Sequence, residues 1–128
     1  MPDYTIKNMM ELEDSAASRD ADIEARFARK HLDSEHLGIS YFRYGPDYKA
    51  STGHRHREQE EAYVVVSGSG RVKLDDDIIE LRKWDVIRVA PPVVRAFAGG
   101  PEGIEVVAIG SDRPEGGDGE RVEDFWPD

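Results

Sequence analysis

The stretch that decides the fold is HRHREQEEAYVVVSG, residues 54–68. Two histidines stand at i and i+2, and four polar residues, Arg57 to Glu60, separate them from Glu61. On a helix, side chains two apart point to different sides; on a strand they share a face. A strand therefore lets the His54 and His56 rings converge. The intervening residues let the chain turn and bring Glu61 back opposite them. On EAYVVVS, Glu61, Tyr63 and Val65 then share one face, and Ala62, Val64 and Val66 the other.

Outward from this stretch the signal is that of strands. ISYFRYG after Gly38 is rich in β-formers, and GPDYKASTG reads as turns and a connection. RVKL, IIEL, DVIRVA, VVRAFA and GIEVVAIG follow, with SGSG, DDD, Pro91-Pro92 and GGPEG expected as the turns between them. Many short strands with tight turns predict an all-β sandwich or barrel rather than a parallel sheet with crossover helices. No helical pattern follows SGSG, so a hairpin turn is expected there and not a phosphate loop.

Before Gly38 the pattern differs. Ile23, Phe27 and Leu32, with Ala28, form a stripe at helical spacing; acidic Asp20, Asp22 and Glu24 precede basic Arg26, Arg29 and Lys30. That order suits a helix dipole, and a surface helix is expected over Asp20 to Leu32, with His31 as a capping or solvent residue. Three segments result: 1–37 with the helix, 38–110 as the barrel, and a tail over 111–128. Within the tail, SDRPEGGDGE is expected to be a mobile connection, and Phe125 and Trp126 to dock somewhere.

Composition narrows the partners. With 128 residues the chain is the size of one domain, and with no cysteine it has no disulfide, zinc ribbon or thiol chemistry. A net charge of −10, from 27 acidic and 17 basic residues, argues against nucleic acid. No apolar stretch approaches membrane-spanning length, and the N-terminus lacks a signal-like apolar run, so a cytoplasmic protein with no membrane contact is expected. The apolar pieces outside the barrel, Ile39 to Phe42 and Phe125-Trp126, lead to the expectation of a symmetric homodimer. The tail could instead fold back on its own barrel.

His-x-His, four residues, Glu, six residues, Gly resembles the first motif of the cupin superfamily. The glycine usual six positions before the first histidine is Tyr48 here. WDVIRVAPPVVRAF, residues 84–97, fits the outline of the second motif: Trp84 at the usual glycine, Ala90-Pro91-Pro92 at the usual Pro-x-Gly, and Arg95 where the last histidine ligand is expected. The resemblance implies a double-stranded β-helix, a jelly-roll barrel, holding three histidines and a glutamate around a divalent metal. His54, His56 and Glu61 match that set; Arg95 does not. Two imidazoles and a carboxylate still form a ligand set that suits Mn, Fe, Ni or Zn. A guanidinium cannot ligate, and at about 5 Å with an effective dielectric of 20 it would repel a dication by roughly 6 to 7 kcal/mol. Arg95 then either grips an anionic group of a small molecule beside Tyr63 or pairs with Glu61 over a metal-free pocket. A third alternative makes the two histidines an exposed pair. Tyr63, Val65, Val86, Phe97 and Val106 are read as barrel lining or core. The function expected is a small-molecule isomerase, oxygenase or decarboxylase, or else a non-catalytic module that holds a small anion.

Overall fold

A computed structural model describes residues 3–17 and 21–126. Eight strands follow in chain order: β1 (Ile23–Phe27), β2 (Gly38–Tyr44), β3 (Gly53–His56), β4 (Glu61–Leu74), β5 (Asp77–Arg82), β6 (Val86–Val89), β7 (Arg95–Gly110) and β8 (Gly119–Val122). The fold is all-β. One path through the sheet runs β1-β2-β7-β3-β8, and β4 joins it by pairing with β7 on one side and with β5 and β6 on the other.

The surface helix expected over Asp20 to Leu32 does not form. Ile23–Phe27 is a strand, only Arg29–Leu32 makes a helical turn, and Asp20 lies outside the described residues. The other helical piece near the N-terminus is a 3-10 turn, Met9–Glu11. Ile23 and Phe27 are four apart, a spacing that satisfies both a helix and a strand. Partners decide between them. β1 lies along β2, with Ala25 opposite Phe42 and Arg26 opposite Tyr41. Ala25 is buried, while Glu24 on the opposite face bonds the Arg26 and Arg43 guanidiniums.

SGSG and GGPEG are not turns between strands either. β4 runs unbroken through Ser67–Gly70 and β7 through Gly99–Gly103, and the two remain paired with shifts of register between Val65 and Ser67 and between Gly68 and Gly70. Extra residues in a pair bend both strands, which is how a flat ribbon curls into a barrel. The backbones touch at the bend: Gly68 has φ 74, and a Cβ there would lie 2.1 Å from the Gly103 carbonyl oxygen. The second-motif position occupied by Trp84 keeps a glycine-like backbone, φ 76, although the residue is a tryptophan.

Tyr63, Val65, Val72, Leu81, Val89, Phe97, Ile104, Val106 and Ala108 fill the barrel. Val86 does not belong with them. It is 70% exposed, because the inward residue of β6 is Val89, opposite Glu61, and Val86 falls on the other parity. The apolar pieces expected outside the barrel are used within the chain. β2 is hydrogen-bonded on both edges, to β1 and β7, and Trp126 is buried against Ala96 and Ala98 under the Arg71 guanidinium. Among the described residues no helix is long and apolar enough to cross a membrane.

Candidate metal centre

β3 and the start of β4 bring the chemistry together. His54 and His56 point to the same side of β3, their rings 5.2 Å apart and edge to face, while Arg55 between them is exposed. β3 is held along β8 on one side, by the His54–Arg95 pair of β7 on the other, and by His56 N–H donating to the Pro91 carbonyl. The chain then turns through Arg57 to Glu60 and enters β4 at Glu61. Glu58 and Glu60 stay exposed on that turn. One ligand atom each from His54, His56 and Glu61 lies within 4.8 Å of the others.

Glu61 Oε1 is the focus. Tyr63 Oη donates to it at 2.6 Å, His56 Nε2 lies 3.3 Å away, His54 Nε2 3.6 Å and Arg95 Nη2 3.8 Å. Burial opposes ionisation of this carboxyl, but the adjacent His54 and His56 imidazoles and the hydrogen bond from Tyr63 prevail and hold its pKa far below the ordinary carboxylate range. The Tyr63 hydroxyl moves the other way: burial first, then the Glu61 charge, raises it well above 10. Tyr63 is therefore a hydrogen-bond donor at any ordinary pH.

Arg95 lies inside the barrel with no exposed surface. Its Nη1 reaches the Pro91 carbonyl at 3.4 Å, whereas Nε and Nη2 have no hydrogen-bond partner. Those two nitrogens form the side-on fork of a guanidinium, the edge that fits two oxygens of a carboxylate or phosphate. His56 Nε2 is the other buried polar atom of this cluster without a hydrogen bond; its approach to Glu61 lacks hydrogen-bonding geometry. A bare imidazole nitrogen beside a second imidazole and an ionised carboxylate is what a divalent first-row metal requires. The residues fit such an ion.

One residue of the site escaped the sequence. Asp118, from the segment expected to be a mobile connection, is buried with its carboxylate against the back of the site. Oδ1 lies 2.8 Å from His56 Nδ1, and Oδ2 accepts from the backbone N–H groups of Glu58 at 2.7 Å and Gln59 at 2.9 Å. Burial opposes its ionisation, but these donors outweigh it and lower its pKa to about 2. A single aspartate between glycines carries no pattern, and only its contacts reveal it.

No protein-family model matches the sequence, and no curated protein matches it. Solved structures do. A cupin protein from Bacteroides fragilis superposes with a TM-score of 0.73 at 20% identity, over 89% of this chain and 88% of that one. The polyketide cyclase RemF from Streptomyces resistomycificus gives 0.74 at 16% identity, over 97% and 87%. A sugar phosphate isomerase of the cupin superfamily from Silicibacter pomeroyi gives 0.65 at 17%, over 81% and 68%. At these identities the likeness is one of fold, and with the His-x-His and Glu61 motif seated on β3 and β4 it makes this chain a protein of the cupin fold.

Proposed function

We propose that the barrel holds a divalent metal on His54, His56 and Glu61 and, with Arg95, binds and transforms a small anionic molecule. The observation that carries this reading is the buried Arg95 guanidinium, whose Nε and Nη2 are bare within reach of the three-ligand cluster. A buried cation with unsatisfied donors is costly by several kcal/mol. At 3.8 Å, Glu61 offsets part of the charge but makes no hydrogen bond. A carboxylate or phosphate on the side-on fork supplies both the charge and the acceptors. A metal bound there would supply a Lewis acid to an adjoining oxygen. Tyr63, buried against Glu61, orients that carboxylate. Isomerase and cyclase are named among the structural neighbours, so conversion of a small oxygenated substrate is in keeping with the fold. The second reading is a metal-free module in which Arg95 plugs the pocket against Glu61; the Arg95–Glu61 approach favours it.

Metal titration separates the two. Mn, Fe, Ni and Zn are offered to chelator-stripped protein with and without a small carboxylate or inorganic phosphate. One equivalent of metal is expected to bind. His54→Ala and Glu61→Ala are each expected to weaken it at least about a hundredfold, since a ligand is lost. The anion should raise metal affinity by about tenfold or more, because its charge offsets the Arg95 repulsion, and the metal should raise anion affinity by the same factor. Arg95→His should raise metal affinity in anion-free buffer and remove the anion's effect. No binding of any of the four metals by the wild-type chain, with or without anion, leaves the metal-free module.

A further inference from the structure

We infer that Asp118 is a positioning residue for the metal centre: by accepting a hydrogen bond from His56 Nδ1–H it keeps His56 Nε2 free to ligate, and so makes metal binding depend on the C-terminal segment. The inference rests on the metal reading of His54, His56 and Glu61.

A neutral imidazole carries one proton and can place it on either ring nitrogen. Only the bare nitrogen ligates a metal. The partner of the other nitrogen selects the tautomer, and carboxylates that accept from ligating histidines typically change metal affinity about tenfold to hundredfold when removed. His56 presents Nε2 toward Glu61 and Nδ1 toward Asp118 Oδ1, at 2.8 Å. An ionised carboxylate only accepts, so the Nδ1 proton is held and Nε2 is left for the ion.

The orientation of Asp118 is itself fixed. Oδ2 accepts from two backbone N–H groups, of Glu58 and Gln59, on the turn between the histidines and Glu61. The same turn is tied down by Gln59 Nε2 donating to the Ser111 carbonyl at 3.0 Å and by Glu60 N–H donating to Ser111 Oγ at 3.1 Å. One carboxylate thus orients a ligand on β3 and caps the turn that delivers the ligand on β4. It arrives from a segment far along the chain, and β8, immediately after it, pairs Gly53–His56 with Gly119–Val122.

Asp118→Asn is the informative substitution, because the two side chains have the same shape. The Glu58 and Gln59 N–H groups still require an acceptor, so the amide oxygen stays at the Oδ2 position and the NH2 faces His56 Nδ1. An NH2 there donates, which forces the imidazole proton onto Nε2, the ligating atom. The experiment measures zinc affinity of the full chain by chelator competition above the histidine titration range, beside nitrogen-resolved NMR of the His56 ring in the zinc-loaded protein. The wild-type chain is expected to show a protonated Nδ1 and zinc on Nε2. Asp118→Asn is expected to retain the fold by circular dichroism, to lose zinc affinity about tenfold to hundredfold, and to lose the Nδ1–H resonance. A purely structural Asp118 would alter melting without altering the tautomer. Zinc binding by Asp118→Asn at wild-type affinity overturns the inference while leaving the metal site standing. If the variant does not fold, the wild-type spectrum still decides: zinc on His56 Nδ1, or an unprotonated Nδ1, overturns it. A wild-type chain that binds neither zinc nor Mn, Fe or Ni in its place overturns the underlying metal reading instead.

Discussion

At the scale of single residues, His56 lies between two carboxylates, with Glu61 toward Nε2 and Asp118 toward Nδ1. In the metal-free protein the neighbouring Glu61 carboxylate, opposed by burial and aided by the Asp118 contact, raises the His56 pKa above 6.5. The stability this confers is fully present below pH 6.5 and is lost as pH rises through the raised value. Glu61 and Asp118 are depressed from 4.5 and 3.8, so their contribution is present above those values and is lost as pH falls through the lowered ones. The metal-free barrel is therefore expected to be most stable in a mildly acidic window, between about pH 4.5 and 6.5. A metal on the proposed site would reverse the upper limit, because its binding requires the His56 proton to leave. Thermal melts across pH, with chelator and with zinc, check both halves. A chelated protein whose stability keeps rising through neutrality contradicts the first, and zinc affinity that does not rise with pH contradicts the second.

At the scale of elements, the barrel depends on two long strands bending together. Gly68 of β4 combines a left-handed φ of 74 with a backbone approach that leaves no room for a Cβ. Gly68→Ala is expected to cost at least ~2 kcal/mol, from the left-handed backbone alone plus the displaced Gly103 carbonyl. Chemical denaturation reads this directly, and a loss under about 0.5 kcal/mol would mean that the bend does not need glycine at this position. The same scale explains the misread helix. Ile23, Ala25 and Phe27 alternate with Glu24 and Arg26, but Ile23 and Phe27 also fit a helical stripe. Only pairing along β2, in register with Ile23–Phe27, makes the two-residue period the effective one.

At the scale of the whole molecule, the C-terminal segment is part of the barrel. Trp126 is 5% exposed on Ala96 and Ala98, Phe125 packs below Lys73 Nζ at 3.8 Å, and β8 lies along β3. Trp126→Ala is expected to cost about 3 kcal/mol, as truncation of a buried tryptophan does. Because the tail is anchored there, amide protection of Gly119–Val122 should fall before that of β4 and β7. Hydrogen exchange of the full chain tests this. Equal loss of protection in all strands would mean that the tail and barrel open as one unit.

Much of the site was legible from spacing alone. His-x-His followed after four residues by Glu61 placed three donors on one strand face and the next strand's inward face, because strand parity is a property of the chain. The parity of EAYVVVS likewise put Tyr63 and Val65 inside, whereas it was the resemblance to the second cupin motif that implied Arg95 in the barrel; all three are buried. What the local pattern could not supply was anything that depends on a distant partner. Whether SGSG and GGPEG turn or bend is decided by each having the other as neighbour across β4 and β7. Whether Val86 lies inside is decided by β6 pairing with β4 so that Val89 faces the core. The two bare nitrogens of Arg95 are visible only once every nearby acceptor has been located. Asp118 is the clearest case: its chemistry comes from folding back some sixty residues onto His56 and the turn after it, contacts of 62, 60 and 59 residues' separation that no short window of sequence contains.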